Sequence, residues 1–204
     1  KGPVGGPCVI SSKIGHRLDP DILSLYRAIL GQRTISPNVI SSAGTLFGFL
    51  AAALILMGSP AAGAASLVVA GFFDILDGAM ARGTGRVTRF GGFFDSVLDR
   101  YTDMAVMGAI LFVYVRQGST GYAMAAFVAV IGAALIPYAR ARAEAAGLSG
   151  KTGLLERPER LVLLIIGLFV PFLLNWIIII LAVLTHVTVI QRIVHVWRQT
   201  RKTA

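Results

Sequence analysis

The sequence predicts an all-α integral membrane protein with six transmembrane helices and an N-terminal amphipathic helix at the membrane interface. Of its 204 residues, 55% are apolar and only 14% are charged, and the mean hydropathy is +0.75. An ordinary soluble domain is less apolar than this. Because about 20 residues cross a bilayer as a helix, six spans need roughly 120 residues and leave room for short loops.

The first 31 residues precede the first predicted span. Residues 1–18 are polar and open on KGPVGGP, which is typical of a linker. We predict a linker segment over residues 1–18 and one membrane domain over residues 19–204. Asp19 and Pro20 indicate a helix start, and this helix extends to Gly31. It is too short to span a bilayer, so we expect it to lie at the cytosolic interface, with a soluble helix as the alternative.

Six apolar stretches follow, separated by short turns that contain glycine, proline or charged residues. The fifth stretch contains Pro171 near its outer end. The predicted spans are residues 38–57, 62–82, 91–115, 122–144, 161–174 and 176–197.

The positive charges indicate an orientation for these spans. The net charge is +9, and with both termini in the cytosol every one of the 19 Lys and Arg residues except Arg116 lies on the inner side. The positive-inside rule therefore predicts N-in and C-in. A basic cytosolic rim suits anionic lipids and phosphorylated substrates rather than nucleic acid. Cys8 is the only cysteine, so neither an intrachain disulfide nor a cysteine zinc site is expected.

Four carboxylates flank the turn between the second and third spans. Asp74 and Asp77 are three residues apart, and Asp95 and Asp99 are four apart, so each pair shares a helix face. An antiparallel hairpin would bring the pairs together, and such carboxylates repel unless they are protonated or bridged by a cation. Carboxylate oxygens suit a hard ion such as Mg²⁺ or Mn²⁺. Acids beside membrane helices are usually functional.

Small and basic residues accompany the four acids. Gly78 and Ala81 keep the helix face small, and Arg82 offers a planar donor suited to phosphate. In the following loop Thr88 could donate to a nucleotide phosphate, although the loop could equally be a plain turn. These features predict a phosphate-handling site.

The start of the first span offers a second set of groups for an anion. The amide, hydroxyl and helix-terminal N–H groups there could face an anionic ligand, or they could only cap the helix. The residues concerned are Asn38, Val39, Ile40 and Ser41.

Two other interpretations of the acids are possible. They could form a structural salt-bridge network, or they could belong to a divalent-cation or proton transporter. Against a transporter, all four lie towards the cytosolic helix ends, and no internal repeat of the kind many transporters carry is visible.

The order and spacing of these residues resemble the signature of the CDP-alcohol phosphotransferase family, and the resemblance extends from about Arg17 to Arg198. It implies a CDP-linked lipid donor, CMP as leaving group, Mg²⁺ or Mn²⁺ as cofactor and a homodimer. Eight fixed positions match: Asp74, Asp77, Gly78, Ala81, Arg82, Gly91, Asp95 and Asp99.

Three further runs resemble the inositol-phosphate branch of that family, namely ARARAEAAGLSG, ERPERL and Gln191–Arg192. This resemblance implies that Arg140, Arg160 and Arg192 bind the phosphate of an inositol phosphate acceptor. Arg140 replaces a lysine of that branch, which keeps the charge but changes the geometry. Pro137 stands where a serine is common.

The resemblance implies transfer from a CDP-diacylglycerol type of lipid to an inositol phosphate hydroxyl on the cytosolic side, giving phosphatidylinositol phosphate. The four aspartates would hold one or two ions, and Asp99 is the expected general base. Transfer from CDP-inositol to inositol phosphate, or to another acceptor such as glycerol 3-phosphate, are the alternatives. The residues expected to hold the CDP part are Asn38, Val39, Ile40, Ser41, Gly78, Ala81, Arg82 and Thr88.

Overall fold

The protein is described here by a computed structural model that covers residues 36–83, 85, 87–150 and 152–203. The predicted segment 1–18 and the predicted helix Asp19–Gly31 lie outside the described residues. Within the described residues all regular structure is α-helical, which confirms the all-α prediction. The helices are α1 Pro37–Leu56, α2 Pro60–Gly83, α3 Arg89–Arg116, α4 Thr120–Ala145, α5 Arg157–Phe169 and α6 Pro171–Thr203.

Four of these helices, α1, α2, α4 and α6, are long and apolar enough to cross a membrane. Helix α3 has 28 residues, but its first half carries several charged side chains. Helix α5 has 13 residues, a length of about 20 Å. The prediction that the fifth span continues to Leu174 was wrong, because the helix ends at Phe169 and Pro171 begins α6.

The chain divides into two compact units, and the division falls between Val106 and Met107 within α3. In the first unit α1 and α2 form a hairpin whose turn contains Gly58 at φ +83°, a conformation that glycine adopts without a steric penalty. Glycines bring the helices close together: a Cβ atom at Gly44 would lie 3.0 Å from the Cβ of Phe73. At the far end of the hairpin Ile40 packs against Met80.

In the second unit α4 and α5 each pack against α6. Small residues again permit the contact, since a Cβ atom at Gly167 would lie 3.0 Å from Leu174 Cδ1. The Tyr114 hydroxyl donates a hydrogen bond of 2.7 Å to Asn175 Oδ1. Helix α5 starts in a capping box formed by Glu156 and Glu159, which satisfies backbone N–H groups at the helix start.

Candidate active site

Three aspartates meet where α2 ends and α3 begins. One carboxylate oxygen from each of Asp74, Asp95 and Asp99 lies within 4.8 Å of the others, and all three side chains are half-buried. The helical spacings place Asp74 on the last turns of α2, and Asp95 and Asp99 on consecutive turns of α3. The structure therefore brings together three of the four acids that the spacing suggested.

The fourth acid, Asp77, is held differently. It is buried at 6% exposure and accepts a hydrogen bond from the Ser41 hydroxyl of α1. The charges of Asp74 and Asp95 still act on it, so it lies beside the cluster. Ser41, which the sequence analysis predicts to face the nucleotide, donates this bond to a predicted metal ligand.

The donor set fits a hard divalent cation. Two oxygens bound to one Mg²⁺ at about 2.1 Å are at most about 4.2 Å apart, so small side-chain rotations would bring the 4.8 Å cluster onto a shared ion. Arg100 Nη2 lies 3.8 Å from Asp99 Oδ2, so one positive side chain already acts on the cluster, but three carboxylates this close still repel one another. A cation is therefore the natural ligand of this arrangement.

Several residues predicted to hold the CDP group lie at the end of α2 and the start of α3, the two helices that carry the cluster. The guanidinium of Arg82 lies over Gly78, because a Cβ atom there would be 3.0 Å from Arg82 Nη1. Thr88 Oγ1 accepts a hydrogen bond of 2.9 Å from the Gly91 N–H, and a hydroxyl that accepts one bond can still donate another. A Cβ atom at Gly91 would also lie 3.3 Å from Asn38 Oδ1. Glycine at 78 and 91 thus leaves room for polar side chains.

The remaining predicted CDP-binding residues take different positions. Ile40 is buried against Met80, so only its backbone could face a ligand. Val39 is exposed at 58%, and Ala81 is half-buried near the end of α2.

The three arginines predicted to bind the acceptor phosphate all belong to the second unit. Arg140 pairs with Glu144 at 2.9 Å on the surface of α4, whereas Arg160 is buried at 5% exposure. Arg192 is buried at 2% exposure, and the charges of Arg140 and Arg160 act on it. The three predicted acceptor residues therefore differ in exposure, since Arg140 lies on the surface while Arg160 and Arg192 are buried.

Arg192 has a set of partners within the protein. Its Nε donates to Thr152 O at 2.7 Å, its Nη1 donates to Ile136 O at 2.5 Å, and its Nη2 lies 3.5 Å from Glu156 Oε1. A buried charge needs such partners. The sequence indicated that Arg192 requires a partner or an anionic ligand, but it did not identify Glu156. The Glu156-x-x-Glu159 spacing of a capping box marks the start of α5, but it does not indicate the pair with Arg192.

Fold and site together define a helical protein with membrane-length helices and a centre suited to a divalent cation and a phosphate. A family model described as CDP-alcohol phosphatidyltransferase matches residues 34–188, which is more than half of the chain. The chain belongs to this family, and it is an enzyme of the CDP-alcohol phosphotransferase type.

Curated relatives with related activities match most of the chain. Archaetidylinositol phosphate synthase of Methanothermobacter thermautotrophicus is 34% identical over 197 residues, which cover 94% of this chain and 98% of the relative. Phosphatidylinositol phosphate synthase of Mycobacterium tuberculosis is 37% identical over 177 residues, which cover 80% of each chain.

Solved structures agree in fold. The crystal structure of the Mycobacterium tuberculosis phosphatidylinositol phosphate synthase with CDP-DAG bound has a TM-score of 0.77 and 34% identity, covering 89% of this chain and 94% of that one. The same enzyme in complex with manganese and citrate has a TM-score of 0.76 and 34% identity, covering 88% of both chains.

Proposed function

We propose that this enzyme transfers a substituted phosphate from a CDP-linked lipid to a hydroxyl of an inositol phosphate and releases CMP. The observation that carries the proposal is the cluster of Asp74, Asp95 and Asp99 in a chain whose relatives are inositol phosphate lipid synthases. The names of those relatives share the inositol phosphate head group and differ in the lipid, archaetidyl or phosphatidyl. The relatives therefore support the identity of the acceptor more strongly than the identity of the donor's lipid tail. For the donor we propose a CDP-diacylglycerol type of lipid.

The aspartates form the cofactor site of this proposal. Asp74, Asp95 and Asp99 would hold Mg²⁺ or Mn²⁺, with Asp77 completing the set. When bound, the cation neutralises charge on the pyrophosphate and on the departing phosphate. Arg82 donates to the same phosphates.

The CDP part would occupy the space around Gly78, Ala81 and Thr88. The Asn38 side chain in the first turn of α1 lies beside Gly91, and the backbone N–H groups of a helix N-terminus favour an anion. The residues of that turn are Asn38, Val39, Ile40 and Ser41.

In the chemical step the acceptor oxygen attacks the β-phosphorus of the donor, and the bond from that phosphorus to the CMP oxygen breaks. Asp99 takes the proton of the acceptor hydroxyl as general base, and CMP leaves with the electron pair. Arg140, Arg160 and Arg192 bind the acceptor phosphate, since guanidinium groups match phosphate oxygens bidentately. No covalent enzyme intermediate is needed, so a trapped phospho-enzyme would contradict this scheme.

The test is CMP release by the purified protein with Mg²⁺ and a CDP-lipid. We expect release with inositol 1-phosphate and little with glycerol 3-phosphate or serine. Release with CDP-inositol but not with a CDP-lipid would favour the di-inositol alternative. No release with any donor and acceptor pair would overturn the proposal.

We also propose that the membrane domain, residues 19–204, has six spans with both termini and the active site in the cytosol. The charge asymmetry supports this topology. In a Cys8→Ser background, an impermeant maleimide added to the outside of intact cells should label Ser59→Cys and Ser119→Cys but not Val87→Cys. The reverse pattern would contradict the orientation.

A homodimer is proposed from the family resemblance alone. Mass measurement of the purified protein by light scattering, corrected for bound detergent, would test it. A monomeric mass would contradict the proposal.

A further inference from the structure

The connection between α4 and α5 leads into the arginine-rich start of α5, and its backbone is bound by side chains of α6. Gln199 makes two of these hydrogen bonds with one residue. Its Oε1 accepts a hydrogen bond of 2.9 Å from the Ser149 N–H, and its Nε2 donates a hydrogen bond of 2.8 Å to Ser149 O. A primary amide that pairs with both backbone groups of a residue imitates a strand partner. One end of the connection is thereby fixed to α6.

The other end of the connection is held about two to three turns earlier on α6. The Leu154 N–H donates a hydrogen bond of 3.2 Å to Gln191 Oε1, and the Leu155 N–H donates one of 3.2 Å to Thr188 Oγ1. Thr152 O accepts from Arg192. The described residues of the connection therefore carry hydrogen bonds to α6 at both ends and in the middle.

The four α6 side chains share one face of their helix. At 100° per residue, positions 188, 191, 192 and 199 fall within an arc of about 100°. Such an arrangement requires a continuous helix, which α6 provides across this region. We call Thr188, Gln191, Arg192 and Gln199 the α6 clamp.

Two glycines allow the connection to lie close to its neighbours. A Cβ atom at Gly150 would lie 2.9 Å from the Arg140 Cα, so no side chain fits there. Gly153 has φ +138°, which L side chains rarely adopt. The backbone of the connection is thus shaped for close contact with α4 and α6.

We infer that the α6 clamp is a positioning device for the acceptor site, an inference that rests on the proposed function. By holding Ser149, Thr152, Leu154 and Leu155 it places the Glu156 cap, and the cap places Arg160 on the first turn of α5. Glu156 in turn pairs with Arg192. Gln191 and Gln199 are positioning residues, because they bind protein backbone and act on the substrate through the arginines.

The test compares Gln199→Ala and Gln191→Ala with a matched control, Thr200→Ala. Thr200 neighbours Gln199 but is exposed, and its hydroxyl donates 2.8 Å to Trp197 O within the same helix. Hydrogen exchange is measured on the substrate-free enzyme, and KM is measured separately for inositol phosphate and for the CDP-lipid.

We expect faster amide exchange at Ser149, Thr152, Leu154 and Leu155 in both glutamine variants. The KM for inositol phosphate should rise about 2- to 10-fold, the range for one lost net hydrogen bond. The KM for the CDP-lipid and the kcat should stay within about 2-fold, and the control should match the unaltered enzyme.

Unchanged exchange in both glutamine variants would overturn the clamp, and so would faster exchange with an unchanged acceptor KM. Equal rises in both KM values would indicate general loosening and would also overturn it. If the unaltered enzyme releases no CMP with inositol phosphate, the proposed function fails, while the exchange measurement alone still decides whether the clamp holds the connection.

Discussion

The two compact units of this protein arrange charged side chains in opposite ways. In the first unit, like charges are gathered: three carboxylate oxygens lie within 4.8 Å of one another. In the second unit, the buried guanidinium of Arg192 meets two backbone carbonyls and a carboxylate. The acid cluster gathers like charges that a cation would bridge, although Asp99 also pairs with Arg100, whereas Arg192 is surrounded by oxygen acceptors of the protein.

The charges of the acid cluster serve ligand binding, whereas the charge of Arg192 also stabilises the fold. Placing like charges together lowers the stability of the ligand-free protein. Binding of a cation offsets this loss of stability. A buried cation with protein partners stabilises the packing around it, because each partner would otherwise be left unsatisfied. Substitutions should therefore affect the two units differently.

The largest expected effect is the loss of activity in Asp95→Asn. The change keeps the shape but removes one negative charge from the cluster, so CMP release should fall about 1000-fold and Mn²⁺ binding measured by electron paramagnetic resonance should weaken. The metal-free variant should unfold at the same temperature as the unaltered protein or higher, because repulsion is relieved.

The control for this substitution is Ser96→Ala, at an exposed neighbour whose hydroxyl donates to Gly92 O at 2.8 Å. It should leave the rate of CMP release and Mn²⁺ binding unchanged. Full activity of Asp95→Asn would remove the cluster from the mechanism.

The opposite result is expected for Arg192→Ala. It leaves two carbonyls and Glu156 without their partner, so it should destabilise the protein by about 3 kcal/mol, seen as a lower unfolding midpoint in detergent. The exposed Arg198 of the same helix supplies a control, since Arg198→Ala should change stability by less than about 0.5 kcal/mol. An unchanged midpoint in Arg192→Ala would break the comparison between the units.

A smaller effect is expected for Ser41→Ala, which removes the hydroxyl that donates to Asp77. Partners that orient metal ligands contribute about 10-fold or more to metal affinity, so Mn²⁺ affinity should fall about 10-fold. Ser42→Ala is the matched control, because Ser42 is exposed and donates 2.9 Å to Asn38 O in its own helix. Equal affinities in the two variants would show that Asp77 lies outside the cation site.

The smallest effect is expected for Glu144→Gln. Arg140 and Glu144 are 41% and 49% exposed, and an exposed pair of this kind contributes less than about 0.5 kcal/mol. Loss of the competing carboxylate should lower the KM for inositol phosphate by about 2-fold, if Arg140 leaves Glu144 to bind the phosphate. A KM raised several-fold would instead indicate that Glu144 positions Arg140.

Much of the site could be predicted because its residues lie at helical spacings. Asp95 and Asp99 share a face of α3 because they are four residues apart. The turn after α2 then brings that face close to Asp74. The special position of Asp77 could not be predicted in this way. Its partner Ser41 is 36 residues away, on another helix, and only the packing of α1 against α2 brings them together.

The arginines show the same limit. Burial of a charge on an apolar helix indicated that Arg192 needs a partner, yet two of the three partners are backbone carbonyls, which every residue possesses. No side-chain pattern distinguishes the carbonyls of Ile136 and Thr152 from any others. The end of α5 was also missed, because the apolar run continues past Phe169 while the proline at 171 ends the helix.

The sequence by itself determined the helical class, the order of the helices and the clustering of the acids at one junction. These properties follow from hydropathy, spacing and the backbone limits of proline and glycine, all of which act over a few residues. Only the tertiary structure decided which donor meets which acceptor: Ser41 donates to Asp77, Arg192 pairs with Glu156, and Gln199 pairs with the backbone of Ser149. These contacts join residues far apart in the chain, and close packing of side chains selects them.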